Sequence, residues 1–218
     1  MSLSKLTLTT CLWFDGQAED AANFYVSIFK NSKVTHVQRY TDAGKEHHGQ
    51  EAGTVLVAEF DLDGHRFVGL NGGPHYKLTP ATSVMIDWWV FSSFSTRRLF
   101  HQPTPMLSFM LSLHALTHAP SLPRAPLFQS KTLTPRPPPS QNQEEVDYYW
   151  DKLSEGSPEA SQQCGWVTDK FGLSWQVVPK ALKEMLSSPD KEGAGRATVA
   201  MMQMKKLDIA GLQKAFDG

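Results

Sequence analysis

Residues 11–29 read CLWFDGQAEDAANFYVSIF. Apolar side chains recur at Ala18, Ala21, Ala22, Tyr25, Ile28 and Phe29, which puts one apolar stripe on a helix of 3.6-residue period. Asp15 stands where an N-cap is wanted, and Glu19 and Asp20 place negative charge at the positive end of the helix dipole. Leu6 to Phe14, rich in Thr, Leu and aromatics, predicts a strand running into this helix.

Working outward, Val34 to Tyr40 predicts a second strand, followed by a polar loop from Thr41 to Gly53 that holds His47 and His48. Val55 to Leu62 alternates, with Leu56, Ala58, Phe60 and Leu62 on one face. Asp63-Gly64 is a two-residue hairpin signal, Arg66 to Asn71 the returning strand, and Gly72-Gly73-Pro74 its end. Residues 6–72 therefore read strand, helix, then three strands. Ser83 to Asp87 opens the same pattern again. Its helix comes much later, where Val146, Tyr149, Trp150 and Leu153 sit at i, i+3, i+4 and i+7, and Asn142 with Glu145 forms a capping box. Cys164 to Thr168 and Leu173 to Val178 predict strands joined by the turn DKFG. After Pro179 the chain reads as helical. One face holds Ala181, Leu182, Met185 and Leu186, another Ala197, Met201, Met204 and Leu207, and Asp208 caps a last helix. This Met-rich tail suits a packing clasp on the sheet or on a second subunit.

Residues 88–140 stand apart. From Trp88 to Gln143 there is no Asp or Glu, while nine of the 14 prolines fall there, and no period of 2 or 3.6 persists. An ordinary globular segment of this length carries several acids. Joining Asp87 to about Gln141 restores a continuous strand-to-helix step. The block is therefore read as an insertion that forms no ordered part of the domain, either a genuine basic segment or translated intron. A domain over residues 5–179, interrupted at 88–140, is followed by a helical extension over 180–218.

The 218 residues carry 21 basic and 22 acidic side chains, a net charge of −1, which points to neither nucleic acid nor an anionic membrane as a partner. The two cysteines, Cys11 and Cys164, and an N-terminus without an apolar signal core suggest a cytoplasmic protein.

Beyond residues 11–29, four further stretches carry a family resemblance: VLVAEFDLDGHRFVGLNGGP (55–74), QEEVDYYWDKLSEG (143–156), CGWVTDKFGLSWQVVP (164–179) and the tail MMQMKKLDIAGLQKAF. The chain resembles the PhnB-like family, whose usual designation is 3-demethylubiquinone-9 3-methyltransferase. That family is a branch of the vicinal-oxygen-chelate superfamily of glyoxalase I, bleomycin-resistance proteins and extradiol dioxygenases. The resemblance implies an α+β fold of two βαβββ-type modules, here with the helical C-terminal tail, whose sheets pair and curl into cups around a ligand cavity. Metal-dependent members place His or Glu at four inward strand positions. In this sequence those positions fall at Thr10 (or Leu8), Asn71, Ser83 and Gln176. None is His, Asp or Glu, whereas a transition metal wants imidazole, carboxylate or thiolate. The expected protein therefore binds a small molecule, holds no metal or other cofactor, and forms a homodimer. Asn71 and Gln176 offer donors and acceptors, and Trp13 and Trp150 flat apolar walls. Substituting Asn71 or Gln176 by Ala is expected to weaken binding with little effect on stability.

Two further readings stay open. A metal site built from His47, His48 and a distant carboxylate competes with solvated loop histidines. An enzyme of the same superfamily, either a methyltransferase or a metal-dependent lyase or dioxygenase, competes with the binding protein. A methyltransferase fingerprint is missing, because Gly72-Gly73 is followed by proline and no helix.

Overall fold

The computed structural model describes residues 8–87 and 143–218. The acid-free block and the capping role of Asn142 lie outside the described residues. The first module runs β1 (Thr10–Phe14), α1 (Ala18–Ile28), β2 (Lys33–Arg39), α2 (Lys45–His48), β3 (Val55–Leu62) and β4 (His65–Asn71). Its four strands lie in the order β1-β4-β3-β2, with β1 parallel to β4 and the other pairs antiparallel. The β3–β4 hairpin closes on Asp63 and Gly64, both with positive φ (44° and 87°), as the turn that matches strand twist requires. The polar loop after β2 contains one unforeseen helical turn, α2, set between Gly44 and Gly49 in left-handed conformation.

The second module consists of β5 (Ser83–Ile86), α3 (Gln143–Leu153), β6 (Trp166–Thr168) and β7 (Ser174–Val177). Its sheet is ordered β5-β7-β6, with β5 parallel to β7 and β6 antiparallel to it. The wiring repeats that of the first module: the first and last strands pair in parallel across a helical crossover. The repeat is shorter by a strand among the described residues. The stretch SEGSPEASQQCG between α3 and β6 is poor in strand formers, and it makes a 3-10 turn at Glu159–Ser161 instead. The expected strand from Cys164 starts only at Trp166. Cys164 (φ 53°) and Gly165 (φ 82°) are left-handed, and their N–H groups donate to Met204 and Lys205 carbonyls at 2.7 and 2.8 Å.

The two sheets share no strand pairing in the described residues; α1 joins the modules. Ala18, Ala21, Ala22, Tyr25 and Ile28 of α1 are buried in one core with Phe60 of the first sheet and Val146, Trp150, Leu153, Val167, Trp175 and Val177 of the second module. Tyr25 lies against Phe60 on one side, and against Phe171 and Trp175 on the other, with ring centroids 5.4–6.0 Å apart. Phe29 stacks on both Trp175 and Tyr149.

The tail folds as α4 (Lys180–Leu186), α5 (Lys191–Met202) and α6 (Ile209–Asp217) around Leu182, Met185, Ala197, Leu207 and Leu212. Asp208 caps α6 as its position suggests, accepting from Ala210 and Gly211, and Asp190 caps α5 through Gly193. The clasp onto the domain is specific. Gly165 has no room for a side chain, since a Cβ would meet Leu207 Cδ1 at 2.9 Å and the Val177 carbonyl at 3.0 Å. Gln143, at the start of α3, donates to the Leu207 carbonyl and accepts from the Ile209 N–H. No described helix is long and apolar enough to cross a membrane.

Candidate functional site

Asn71 ends β4, directly beside Phe14 at the end of β1. Its Oδ1 accepts the Ala18 N–H at 3.0 Å, and its Nδ2 donates to the Val55 carbonyl at 3.0 Å. One amide therefore satisfies the first turn of α1 and anchors the start of β3. The cap of α1 comes from here and not from Asp15: the residue before the helix is Gln17, which makes no side-chain cap. A side chain from across the sheet does the work expected of a local one.

Beside Asn71 the chain leaves a concavity of about 320 Å³, lined by Asp15, Glu19, Tyr40, Gln50, Thr54 and Asn71 among others. It opens at the C-terminal ends of β1 and β4, where the turn into α1 and the loop after β2 face each other. Glu19 is clamped by the Nη2 of Arg39, with both carboxylate oxygens at 2.9 Å, and Arg39 Nη1 reaches the Gly53 carbonyl at 3.1 Å. This pair holds the helix to the far edge of the sheet. Asp15 and Asp20 are exposed.

The other residues singled out from the sequence are not brought to this place. Thr10 lies on the same helix-facing side as Asn71, but at the opposite end of the β1–β4 pair, about 13 Å along the strands. Its hydroxyl meets His65 Nε2 at 3.1 Å, and Leu8, the alternative to Thr10, is exposed. Trp13 points to the open face, where its indole N–H donates to the Gly73 carbonyl at 2.8 Å and Tyr76 meets it edge-on at 4.9 Å. The ring lies so close over Gly72 that a Cβ there would fall 2.1 Å from it. Ser83 and Gln176 do meet, with Gln176 Nε2 donating to Ser83 Oγ at 2.8 Å on the open side of the second sheet. Trp150 is buried in the core. Strand alternation puts Trp13 on the face opposite Thr10 and Asn71, and the length of the β1–β4 pair separates those two.

The histidines stay apart as well. His36, His47 and His75 are exposed, and His48 lies 4.5 Å from the Tyr40 ring and accepts the Gln50 N–H. Among the described residues no three His, Cys, Asp or Glu side chains gather as a metal ion would need.

Nothing in the residue pattern of the DKFG turn announces a buried carboxylate. Asp169 is 2 % exposed. Oδ1 accepts the N–H groups of Phe171 and Leu173 at 2.8 and 3.1 Å, and Oδ2 accepts the Trp175 indole N–H at 2.7 Å. Burial raises its pKa, against the lowering effect of these donors. Among the described residues the buried Tyr25 hydroxyl makes no hydrogen bond within ordinary limits of distance and angle, but it faces Asp169: burial first, then the charge and hydrogen-bonding pull of that carboxylate, hold it well above its ordinary pKa.

The 3-demethylubiquinone-9 3-methyltransferase family model matches residues 6–93 and 139–178, more than half of the chain. The chain belongs to this PhnB-like family. Its likeness to solved structures is distant. A PhnB protein from Bacillus cereus with the same methyltransferase designation is 23% identical at a TM-score of 0.48, over 78% of this chain and 97% of that one. A protein from Pseudomonas aeruginosa is 12% identical at a TM-score of 0.42, over 78% of this chain and 95% of that one. A Staphylococcus aureus protein is 18% identical at 0.24, over 77% and 91%. No curated protein matches.

In this PhnB-like chain Asn71 is a hydrogen-bond clamp as well as part of the wall. Asn71→Ala should therefore destabilise the fold by about 1–3 kcal/mol, the range for a partly buried N–H and carbonyl left unpaired. Gln176→Ala, with Ser83 as its one side-chain partner among the described residues, should cost about 1 kcal/mol or less. Urea unfolding of the two variants separates these outcomes, and equal costs would remove the distinction.

Asp169 gives a signed pH dependence. Its folded pKa lies above the unfolded value near 3.8, so the folded state holds the proton more tightly and loses stability as pH climbs from there. Asp169→Asn should remove that component while losing the Trp175 bond. The stability difference between wild type and variant should shrink as pH rises above the ordinary Asp range; a difference that is flat or widens would refute the assignment.

Proposed function

We propose that this PhnB-like protein binds a small molecule in the concavity beside Asn71, without a catalytic transition metal. One observation carries the reading: Tyr40, Gln50, Thr54 and Asn71, with the carboxylates of Asp15, Glu19 and Asp20, line a recess of about 320 Å³, at the lower end of ligand-pocket size. Hydroxyl, amide and carboxylate groups of this kind orient a ligand through hydrogen bonds. We propose separately that the protein is a cytoplasmic homodimer. The alternative is methyl transfer, as the family designation suggests, or lyase or dioxygenase chemistry at a metal. Methyl transfer requires a cofactor loop, and the glycine pair best suited to one, Gly72-Gly73, is taken up in seating Trp13.

A thermal-shift screen with a metabolite library that includes S-adenosylmethionine tests this. A ligand of the recess raises the melting temperature of the native chain, and Gln50→Ala or Thr54→Val abolishes that rise while leaving the unliganded melting temperature in place. Stoichiometric iron, zinc, nickel or manganese in the purified protein would overturn the metal-free reading.

We also propose that residues 88–140 are an insertion dispensable to the domain. The family match breaks at residue 93 and resumes at 139. Deleting residues 88–140 should leave the melting temperature unchanged or higher, and a shortened chain that fails to fold would sink the idea.

A further inference from the structure

Helix α5 is apolar on two sides. One side, with Ala194 and Ala197, is buried in the tail. The other carries Gly195, Val199 and Met202 at i, i+4 and i+7, and Val199 and Met202 are 59% and 58% exposed. Beside them, α5 and α6 enclose an open groove of about 760 Å³, lined by Lys191, Gly195, Val199, Gly211, Lys214 and Ala215 among others.

Gly195 is the informative residue. A glycine inside a helix costs about 1 kcal/mol against alanine. The other glycines of the pair are explained within the chain. A Cβ on Gly193 would meet Asp190 at 2.6 Å and the Phe216 carbonyl at 3.0 Å, and one on Gly211 would meet Asp208 at 2.8 Å. A Cβ on Gly195 would meet nothing outside its own helix within 4 Å among the described residues, so nothing in the described fold asks for glycine. The space it keeps clear is on the outside.

Charge narrows the occupant. Lys191 and Lys214 flank the groove, and neither pairs with a carboxylate among the described residues; the one acidic side chain in the lining is Glu192. Arg196 is committed to the Ala215 and Phe216 carbonyls that end α6. Residues 1–7 and 88–142 contain no Asp or Glu, so no undescribed part of this chain offers the missing charge. A second copy packed on the same face would set lysine against lysine.

We propose that the α5–α6 groove docks an acidic amphipathic helix of another protein, with its apolar ridge over Gly195 between Val199 and Ala215, and glutamates or aspartates reaching Lys191 and Lys214. This is the helix-in-groove mode, in which main-chain approach over small residues gives fit and flanking charge gives selectivity.

The probe is a synthetic, fluorescently labelled peptide of about 18 residues, long enough to hold a helix when Ala-rich, with leucines at i, i+3, i+4 and i+7, glutamates at a few positions flanking that stripe and alanines elsewhere. A control replaces every glutamate by lysine. Anisotropy titrations with the full chain should show saturable binding of the acidic peptide, at least about tenfold tighter than the control. Gly195→Leu fills the groove where there is room for its Cβ, so it should fold as the wild type does and lose binding by about tenfold or more. Val199→Glu provides a second variant with the same expected loss. The double change K191E/K214E should reverse the preference between the peptides. No saturable binding, equal binding of both peptides, or indifference to Gly195→Leu and Val199→Glu would overturn the proposal. So would a sedimenting dimer that Gly195→Leu splits into monomers, which would assign the groove to a second copy.

Discussion

The structure depends on α1 being buried from two directions. A helix on the surface of a sheet needs one apolar stripe, and its far side meets water. Here Ala18, Ala21 and Ala22 let the backbone approach the first sheet closely, while Tyr25 and Phe29 extend past it to Trp175. Tyr25 shows the balance of terms. Its unpartnered hydroxyl costs about 1–3 kcal/mol. Ring burial contributes about 1.5–3 kcal/mol, and each of its ring contacts, tilted against Phe60 and edge-on against Phe171 and Trp175, about 0.5–1.5. The sum favours the ring in place despite the hydroxyl. Trp175 is held in turn by Asp169, so a buried carboxylate in a turn of the second module fixes the surface on which the helix of the first module rests.

The same helix explains why the recess lies where it does. An α-helix starts with N–H groups that need acceptors. The sharp turn Asp15-Gly16 brings α1 back over the ends of β1 and β4, and Asn71 supplies an acceptor from the strand that has just ended. Arg39 pulls Glu19 toward the opposite edge of the sheet. The helix end is therefore fixed at two points, and the gap left between them and the loop after β2 is lined by the two anchoring side chains, Asn71 and Glu19, together with Asp15, Tyr40, Gln50 and Thr54.

Much of this architecture was legible in the sequence. The α1 stripe, the alternation in β3, the Asp63-Gly64 hairpin and the Val146–Leu153 stripe of α3 are local patterns, and each appears where periodicity put it. What escaped was long-range. Asn71 caps a helix that begins 53 positions earlier, so no N-terminal signature could announce it. Asp169 looked like an ordinary turn residue because its burial depends on Trp175 and on α1 packing above it. Cys164 reads as a strand residue by type, and it is left-handed because the tail takes its N–H. The site residues were counted along strands by likeness to a pattern. A count along a strand fixes a face only when the starting residue's face is known, and Leu12 and Phe14 assign Thr10 to the helix side.

The two modules share their wiring yet differ at the end where the recess forms. In the first module the start of α1 stands open to solvent beside the loop after β2. In the second, Gln143 at the start of α3 holds both the Leu207 carbonyl and the Ile209 N–H, and Asp147 on the next turn pairs with Lys206. The tail thus occupies the place that corresponds to the recess. Gly165 lets it come close, because any side chain there would strike Leu207. A duplicated module offers two helix starts at comparable positions, and a chain that closes one with its own tail leaves the other as the end at which a ligand would compete with water alone.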